Sequence, residues 1–580
     1  MKKLLSVILA VLMCITAMTT AISVSAKETD TVATSATDNI TWAVSGGVLY
    51  VLGSGNMQNY TGYGSAPWSS KYSEIRKVVI SENITSIGSY AFANLSNLTY
   101  VQFDGNSKLT KVGNNAFTWC SALTDIVLPN SVKTVDKNAF YQCGAMTNFT
   151  TNAQASFGDY AFYGCKNLQT ISTPKAKSFG YEAFAYCDKL TKANLGNATL
   201  GEYCLYYNKT IQSLTAGSLN KYAIHNAEKL TSLNIKNAKF IKSYALYNVP
   251  KLTYISSNAT SVAEYAFYEM NSLKSVTLPK IKSVANYLFY KSNKLQTVKL
   301  GSVETIGKYA FAGCSNLTTI TGTTKVKRVN NAAFDSCKKL KKFTSSNKLG
   351  YIGYNAFFDC QKMTGSINFS NVTYVDDGAF GNCKSLASTI NFKKVTNVGN
   401  SAFFNCQKLK GNTLGTKLKK LGSKAFLGCK SIGSIYVPSS CKTIGYDMFV
   451  KNITSIKYSN GYYTYKYNAN GKKITIYGDK GSAIQSYAKL YKTPFKIAVK
   501  SVSVNNAKVT VKKGKTFKLK VYVSPSNCAN KKVTLKSTNA KIATVSSNGT
   551  IKGIKKGSCK IIVTAKDGSQ KSKTVTVKVK

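Results

Sequence analysis

The stretch Lys294-Leu295-Gln296-Thr297-Val298-Lys299-Leu300, followed after a short turn by Val303-Glu304-Thr305-Ile306-Gly307-Lys308-Tyr309-Ala310-Phe311-Ala312-Gly313-Cys314, decides how this chain folds. Val298 and Leu300 alternate with polar neighbours, which predicts an extended segment with one face turned inward, and Leu295 joins that face. Gly307 stands where the chain must bend tightly. Ala310, Phe311 and Cys314 fall at helical spacing, so one short helical turn presses all three inward. Nothing in the unit can bury this apolar edge alone.

Its copies supply the cover. The Phe311 slot recurs as Phe at 92, 117, 140, 162, 184, 267, 289, 334, 357, 380, 403, 426 and 449, and as Leu205, Ile224 and Leu246, which makes 17 units spaced 19 to 25 residues apart. Self-similarity at this period predicts a solenoid in which each rung touches only its neighbours and whose open ends need caps.

The pattern I-G-x-x-A-F-x-x-C-x-x-L-x-x-V-x-L resembles the BspA-type leucine-rich repeat. The resemblance implies a right-handed leucine-rich-repeat solenoid, mainly β with short helical turns, over residues 75–453. Trp42, Leu49-Tyr50-Val51, Gly53-Ser54-Gly55 and Ala66-Pro67-Trp68 resemble the β-rich N-terminal cap of such proteins, so 27–74 reads as a polar leader and cap. Ile474-Thr475-Ile476-Tyr477-Gly478, Gly481-Ser482 and Tyr487-Ala488-Lys489 resemble their closing cap, over 454–497.

From residue 498 the texture changes. Phe517-Lys518-Leu519-Lys520-Val521-Tyr522-Val523 and Cys559-Lys560-Ile561-Ile562-Val563-Thr564-Ala565 alternate, with turn signals at Ser547-Asn548-Gly549 and Asp567-Gly568-Ser569. A small all-β sandwich is expected. Gly514, Pro525, Ser537-Thr538-Asn539, Ile542-Ala543-Thr544-Val545, Gly549 and Gly557 make 498–580 similar to the bacterial immunoglobulin-like group 2 domain. Leu535 departs from that family, which usually carries Trp there.

Residues 1–26 carry a basic start, Met1-Lys2-Lys3, an apolar run and the small-residue sequence Val24-Ser25-Ala26, the pattern of a cleaved secretory signal. No second long apolar run follows, so no transmembrane anchor is expected. The net charge is +55, and all but two of the 78 basic residues (Arg76 and Arg328) are lysine. Lysine is a hydrated point charge without the planar fork that reads bases, which argues against a specific nucleic-acid partner. An anionic polymer such as a bacterial wall fits better. The last 83 residues hold 20 lysines and the single acid Asp567.

Chemistry-bearing motifs are absent. The one histidine, His225, follows the Ile224 slot where neighbouring units have Tyr206 and Tyr247. No C-x-x-C, H-E-x-x-H, phosphate-binding or calcium loop occurs, so no catalytic residue, metal ligand or cofactor is assigned. Ten of the 15 cysteines lie three residues after a slot Phe, as a ladder of small buried groups expected to be mostly free thiols. Cys528 and Cys559 are the better disulfide candidates.

One surface feature stands out. Two residues before the slot, Tyr203, Tyr222, Tyr244, Tyr265, Tyr287 and Tyr309 recur on six consecutive rungs, and Tyr206, His225, Tyr247, Tyr268 and Tyr290 follow the slot by one. Stacked over rungs, these positions predict a double aromatic stripe, either a ligand surface for sugar rings or protein hot spots or a stiffener of the array. The outward strand residues, such as Ser213, Thr215, Ser275 and Thr277, are small and polar. A secreted or surface-associated bacterial adhesin for an extracellular protein or glycan is the leading function. A structural wall or matrix component held by charge is the alternative, and an enzyme scaffold the least favoured.

Overall fold

The computed structural model describes residues 31–34 and 39–580, apart from Ser366, Asn452, Asn460, Gly461, Ala469 and Asn470. The secretory-signal pattern of 1–26 lies outside the described residues. The chain falls into two compact units, Met1–Leu190 and Thr191–Lys580.

In the first unit, strands Thr31–Thr34, Ile40–Ser45 and Val48–Gly53 form an antiparallel sheet. Val48–Gly53 then pairs in parallel with Lys77–Ile80, and that strand with Tyr100–Phe103, so the sheet passes from hairpin to repeat without a break. A second parallel ladder runs through Ile84–Ile87, Lys111–Val112, Thr134–Val135, Ser156–Phe157 and Ser178–Phe179. Between the ladders Phe92, Phe117, Phe140, Phe162 and Phe184 stack at centroid spacings of 5.2 to 5.4 Å. Trp68 closes the stack: its ring lies 5.7 Å from Phe92, and its indole N–H donates to the Ala91 carbonyl at 2.9 Å.

The second unit repeats the plan. Tyr254–Ser256, Ser275–Leu278, Thr297–Leu300 and Thr319–Thr321 form one parallel ladder. Ser283–Val284, Thr305–Ile306, Arg328–Val329, Tyr351–Ile352, Tyr374–Val375, Asn397–Val398, Lys420–Leu421 and Thr443–Ile444 form the other. Val298, Ile306, Ala310, Phe311 and Cys314 are buried, as the alternation and spacing require. Stacking of the slot phenylalanines continues from Phe267 to Phe449.

The turn that presses Ala310, Phe311 and Cys314 inward is closed by i→i+3 bonds, Ala312 N–H to Tyr309 and Cys314 N–H to Phe311, rather than by a continuous helix. Tyr309 and Gly313, the residues two before and two after the slot, both sit in the left-handed region, at φ 53° and 78°. In this unit that conformation accompanies bonds to the neighbouring rung. Tyr309, Phe311 and Gly313 donate to the carbonyls of Asn331, Ala333 and Asp335 at 2.8 to 2.9 Å, a third ladder at the turn itself. Gly307 is required by approach rather than by bending: a Cβ there would lie 2.6 Å from the backbone of Ala285 and Asn286.

A further parallel sheet runs through Thr389–Asn391, Lys410–Thr413, Ser434–Tyr436, Thr475–Gly478 and Phe495–Ile497. The helix Ala483–Leu490 then buries Ile484, Tyr487 and Ala488. After it comes the sandwich. Lys508–Val511, Ser572–Val579, Gly557–Ala565 and Val533–Ser537 form one sheet, and Thr516–Lys518, Thr550–Gly553 and Ala543–Val545 another. Leu535 packs, half-buried, against a core of valines and isoleucines. Cys528 and Cys559, the better disulfide candidates, sit buried in that core as free thiols. Packing alone gives both a place in an apolar core.

Candidate functional site: an aromatic groove on the turns

The eleven residues singled out by the repeat register come together. Tyr203, Tyr222, Tyr244, Tyr265, Tyr287 and Tyr309 stack as one column, with centroids 4.7 to 5.2 Å apart and planes within 16° of parallel. The second column has two segments. His225 lies between Tyr206 and Tyr247, 5.1 Å from each, and Tyr268 stacks on Tyr290 at 5.8 Å. Between Tyr247 and Tyr268 the stack is interrupted, and Tyr268 instead turns its ring at 68° to Tyr244. Within a rung the columns meet edge to face, as for Tyr203 with Tyr206 at 89°. Together Tyr203, Tyr222, Tyr244, Tyr265 and their second-column neighbours line an open groove of about 490 Å3.

The local backbone makes this choice of residue informative. All six first-column tyrosines have φ between 53° and 59°. Gly and Asn adopt that region readily, whereas other L-residues pay roughly 1–2 kcal/mol for it. Other rungs place Asn138 or Asn355 at the same corner. Six successive tyrosines are therefore not a backbone preference; they are held by ring stacking or by what the groove meets.

Stacking also determines what the groove offers. Tyr222, Tyr244, Tyr265 and Tyr287 have a ring on each face, which leaves edges and hydroxyls to the outside. Burial, together with the neighbouring phenols and Glu264, pushes the Tyr244, Tyr265 and Tyr287 hydroxyls above their usual range. Tyr268 is pushed up to about 12, by burial first and then by Glu269. All four remain protonated donors at neutral pH. Burial pulls His225 below the usual histidine range, and its buried Nδ1 has no hydrogen-bond partner among the described residues. It is a neutral ring within a stack, not part of a proton relay.

A second aromatic cluster, in the first unit, escaped the sequence reading. Tyr141 stacks on Tyr163 at 5.1 Å, Tyr160 and Tyr186 meet Tyr163 edge-on, and Trp119, half exposed, lies 6.4 Å from Tyr141. Its residues are spread over three register positions: Tyr160 two before the slot, Tyr141 and Tyr163 one after it, and Trp119 and Tyr186 two after it.

The cysteine ladder has a polar role. In all ten ladder residues Sγ donates to the carbonyl of the slot Phe one rung earlier, as Cys360 does to Phe334 at 3.2 Å. Ser292 takes the same place against Phe267, also at 3.2 Å. Among the described residues every cysteine is free, no cluster of His, Cys, Asp or Glu could hold a metal ion, and no helix is long and apolar enough to cross a membrane.

Two stacked short-strand ladders, inward phenylalanines and a capped end define a leucine-rich-repeat solenoid that carries an immunoglobulin-like sandwich, a non-catalytic class of protein. The chain belongs to the family of BspA type leucine rich repeat regions, whose profile matches residues 69–191, 150–253, 239–364 and 363–476. Residues 498–577 match the bacterial Ig-like domain of group 2. Among solved structures, the chain is similar to a leucine-rich repeat protein from Bacteroides ovatus, at 20% identity over 70% of this chain and 98% of that one, with a TM-score of 0.36. A leucine rich cell surface protein from Faecalibacterium prausnitzii is 19% identical over 72% of this chain and 95% of its own, with a TM-score of 0.22. A stretch of 71 residues is 41% identical to the kappa-carrageenase of Pseudoalteromonas carrageenovora, covering 12% of this chain and 18% of that enzyme.

Proposed function

We propose that this protein works outside the cell, secreted or held at the bacterial surface, as a binding protein whose tyrosine groove takes an extracellular protein. The observation that carries the reading is the run of six tyrosines in left-handed corners, which the backbone alone does not favour. Between the two ligand classes expected from sequence, the ring geometry favours protein over glycan. A sugar stacks on an aromatic face, and the faces of the first column are covered by each other. Rigid apolar edges with a row of hydroxyl donors suit a protein hot-spot surface. Export is supported by the signal pattern of residues 1–26 and by the family.

The test is the full chain with Tyr244, Tyr247, Tyr265 and Tyr268 all changed to Ser, probed against arrays of matrix proteins and of glycans. Loss of protein binding per folded molecule supports the reading. A large loss of stability, with binding per folded molecule intact, assigns the stripe to stiffening the array.

A second reading, a wall or matrix component held by charge, is favoured by one observation. Asp567, the only acid among the 20 lysines of the sandwich, is buried and accepts from the Val499 backbone N–H and from Ser569 Oγ. The outer surface of that domain therefore carries no acidic side chain. Changing Lys508, Lys536, Lys560 and Lys578 to Gln lowers the salt needed to elute the protein from purified cell wall if this reading holds. Unchanged elution removes the sandwich from retention.

A further inference from the structure

We propose that the groove beside the short strands of the last rungs is a binding site for an acidic polysaccharide, independent of the tyrosine groove. Thr396, Lys419 and Lys442 occupy one register position on three successive rungs. The Lys419 N–H donates to Thr396 at 2.7 Å and the Lys442 N–H to Lys419 at 3.0 Å, so the three side chains rise from one backbone column. Two residues before Lys419 and Lys442 on their rungs stand Lys417 and Ser440, and the Ser440 hydroxyl is fixed by the Thr416 and Leu418 carbonyls, each at 2.8 Å. Together with Thr416 these residues line an open groove of about 700 Å3.

Charge is the second observation. Residues 378–446 hold eleven lysines and no aspartate or glutamate. Among the described residues, Lys417, Lys419 and Lys442 form no ion pair, although all three are exposed. Farther up the same ladder the register position of Lys419 is neutralised, with Lys327 Nζ 2.8 Å from Glu304 Oε2. On the rungs of the groove the same position carries Lys419 and Lys442, with no acidic residue between 378 and 446 to pair with them.

The chemistry of the lining identifies the class. Three ammonium groups supply charge without the bidentate fork of arginine, and the hydroxyls of Thr396, Thr416, Ser440 and Thr443 line the same groove to meet sugar hydroxyls. No aromatic ring lines the groove, so bases have nothing to stack on, which disfavours a single-stranded nucleic acid. Rungs repeat at about 4.8 Å, near the length of one sugar in an extended chain. A polymer lying along the rungs can therefore place successive acidic groups against successive lysines.

The full chain is titrated with polygalacturonate, neutral dextran and polyphosphate, alongside two triple variants of equal charge loss. The first is Lys417→Gln, Lys419→Gln, Lys442→Gln; the second is Lys229→Gln, Lys251→Gln, Lys294→Gln, on exposed lysines elsewhere in the repeats. Polygalacturonate is expected to bind, more weakly as salt rises, and dextran not to bind. The groove variant should lose about tenfold or more in affinity and the other triple about twofold at most, with the tyrosine quadruple variant unchanged. Equal losses in the two triples, absence of polygalacturonate binding, or tighter and equally groove-dependent binding of polyphosphate would each overturn the assignment. The proposal fails on the lysine variants, and the tyrosine reading fails only on the tyrosine ones.

Discussion

Tyr244 lies over Tyr265 with ring centroids 4.9 Å apart and planes 6° from parallel, and Tyr287 covers the other face of Tyr265 at 4.7 Å. Two opposing quantities meet there. Each stacked pair is worth about 0.5–1.5 kcal/mol, while the left-handed backbone at φ 59° costs a tyrosine roughly 1–2 kcal/mol that a glycine does not pay. Tyr265→Gly should therefore shift the free energy of unfolding in urea by less than about 2 kcal/mol. Tyr265→Val, which keeps the strain and loses the stack, should cost more than Tyr265→Gly. A far larger loss for the glycine variant would make stacking the main support of these rungs.

The thiol of Cys360 donates to the Phe334 carbonyl. Cys360→Ala deletes the donor and leaves a small void, at a cost of about 1–3 kcal/mol. Cys360→Ser keeps a donor in the arrangement already realised by Ser292, and should be the milder of the two in denaturant titration. If alanine is the better tolerated, the sulfur serves packing alone.

Burial pushes the thiols of Cys120, Cys314 and Cys429 well above the usual cysteine range. The folded chain keeps protons that the unfolded chain releases above about pH 8.5. Stability is thus complete below that pH and falls as pH rises beyond it. Melting temperatures measured from pH 7.5 to 10 should show the decline. Thiol reagents should be slow on the native protein and complete after denaturation, because the thiolate is the reactive form.

Burial raises Asp335 to about 6; the Ser336 hydroxyl pulls the other way, and the carboxylate of Asp359 adds to the rise. The folded state holds this proton more tightly than the unfolded chain, whose aspartates titrate near 3.9. Its contribution is present below about pH 3.9 and is lost as pH rises through about 6. Asp335→Asn should flatten the stability profile between those limits and raise the melting temperature at pH 7. A variant less stable than the parent at pH 7 would show that the charged carboxylate is needed.

Tyr487 closes the C-terminal end of the phenylalanine stack. Its hydroxyl accepts the Met448 N–H at 3.1 Å, and its ring stands edge-on to Phe449, 5.7 Å away. Tyr487→Phe removes one acceptor, at about 1–2 kcal/mol. Tyr487→Ala uncovers Phe449 and should cost about 3–5 kcal/mol. Because rungs hold only their neighbours, the loss begins at the end. Amide exchange should accelerate first around Phe449 and Phe426, with Phe289 protected in both variants.

Much of this was legible in the sequence because the repeat samples the same environment many times. A position that is Phe thirteen times outside the reference unit, or Cys ten times, is buried, and alternation such as Val298 and Leu300 names the inward strand face. The aromatic columns followed from register alone. Their means of approach did not. The columns rise from left-handed corners, at φ 53° for Tyr309 and 55° for Tyr244, a conformation for which tyrosine has no preference. Local propensity therefore gives no sign of it. The ladder cysteines are buried free thiols, as small buried groups would be, and only the stack reveals the carbonyl each one meets. The break between Tyr247 and Tyr268 has no sequence signature at all.

Where the turn ladder forms it has a direction: a rung gives its N–H groups to the rung that follows, as Phe311 does to Ala333. An array built this way has an acceptor head and a donor tail, and the two caps are chemically opposite. At the head, the Tyr60 N–H and the Trp68 indole N–H donate to the carbonyls of Ser89 and Ala91, where an earlier rung would have donated. At the tail, the Lys472 carbonyl and the Tyr487 hydroxyl receive the N–H groups of Lys451 and Met448. Stripped of these stoppers, the head of one molecule would fit the tail of another, a head-to-tail contact that does not close and so grows into fibres.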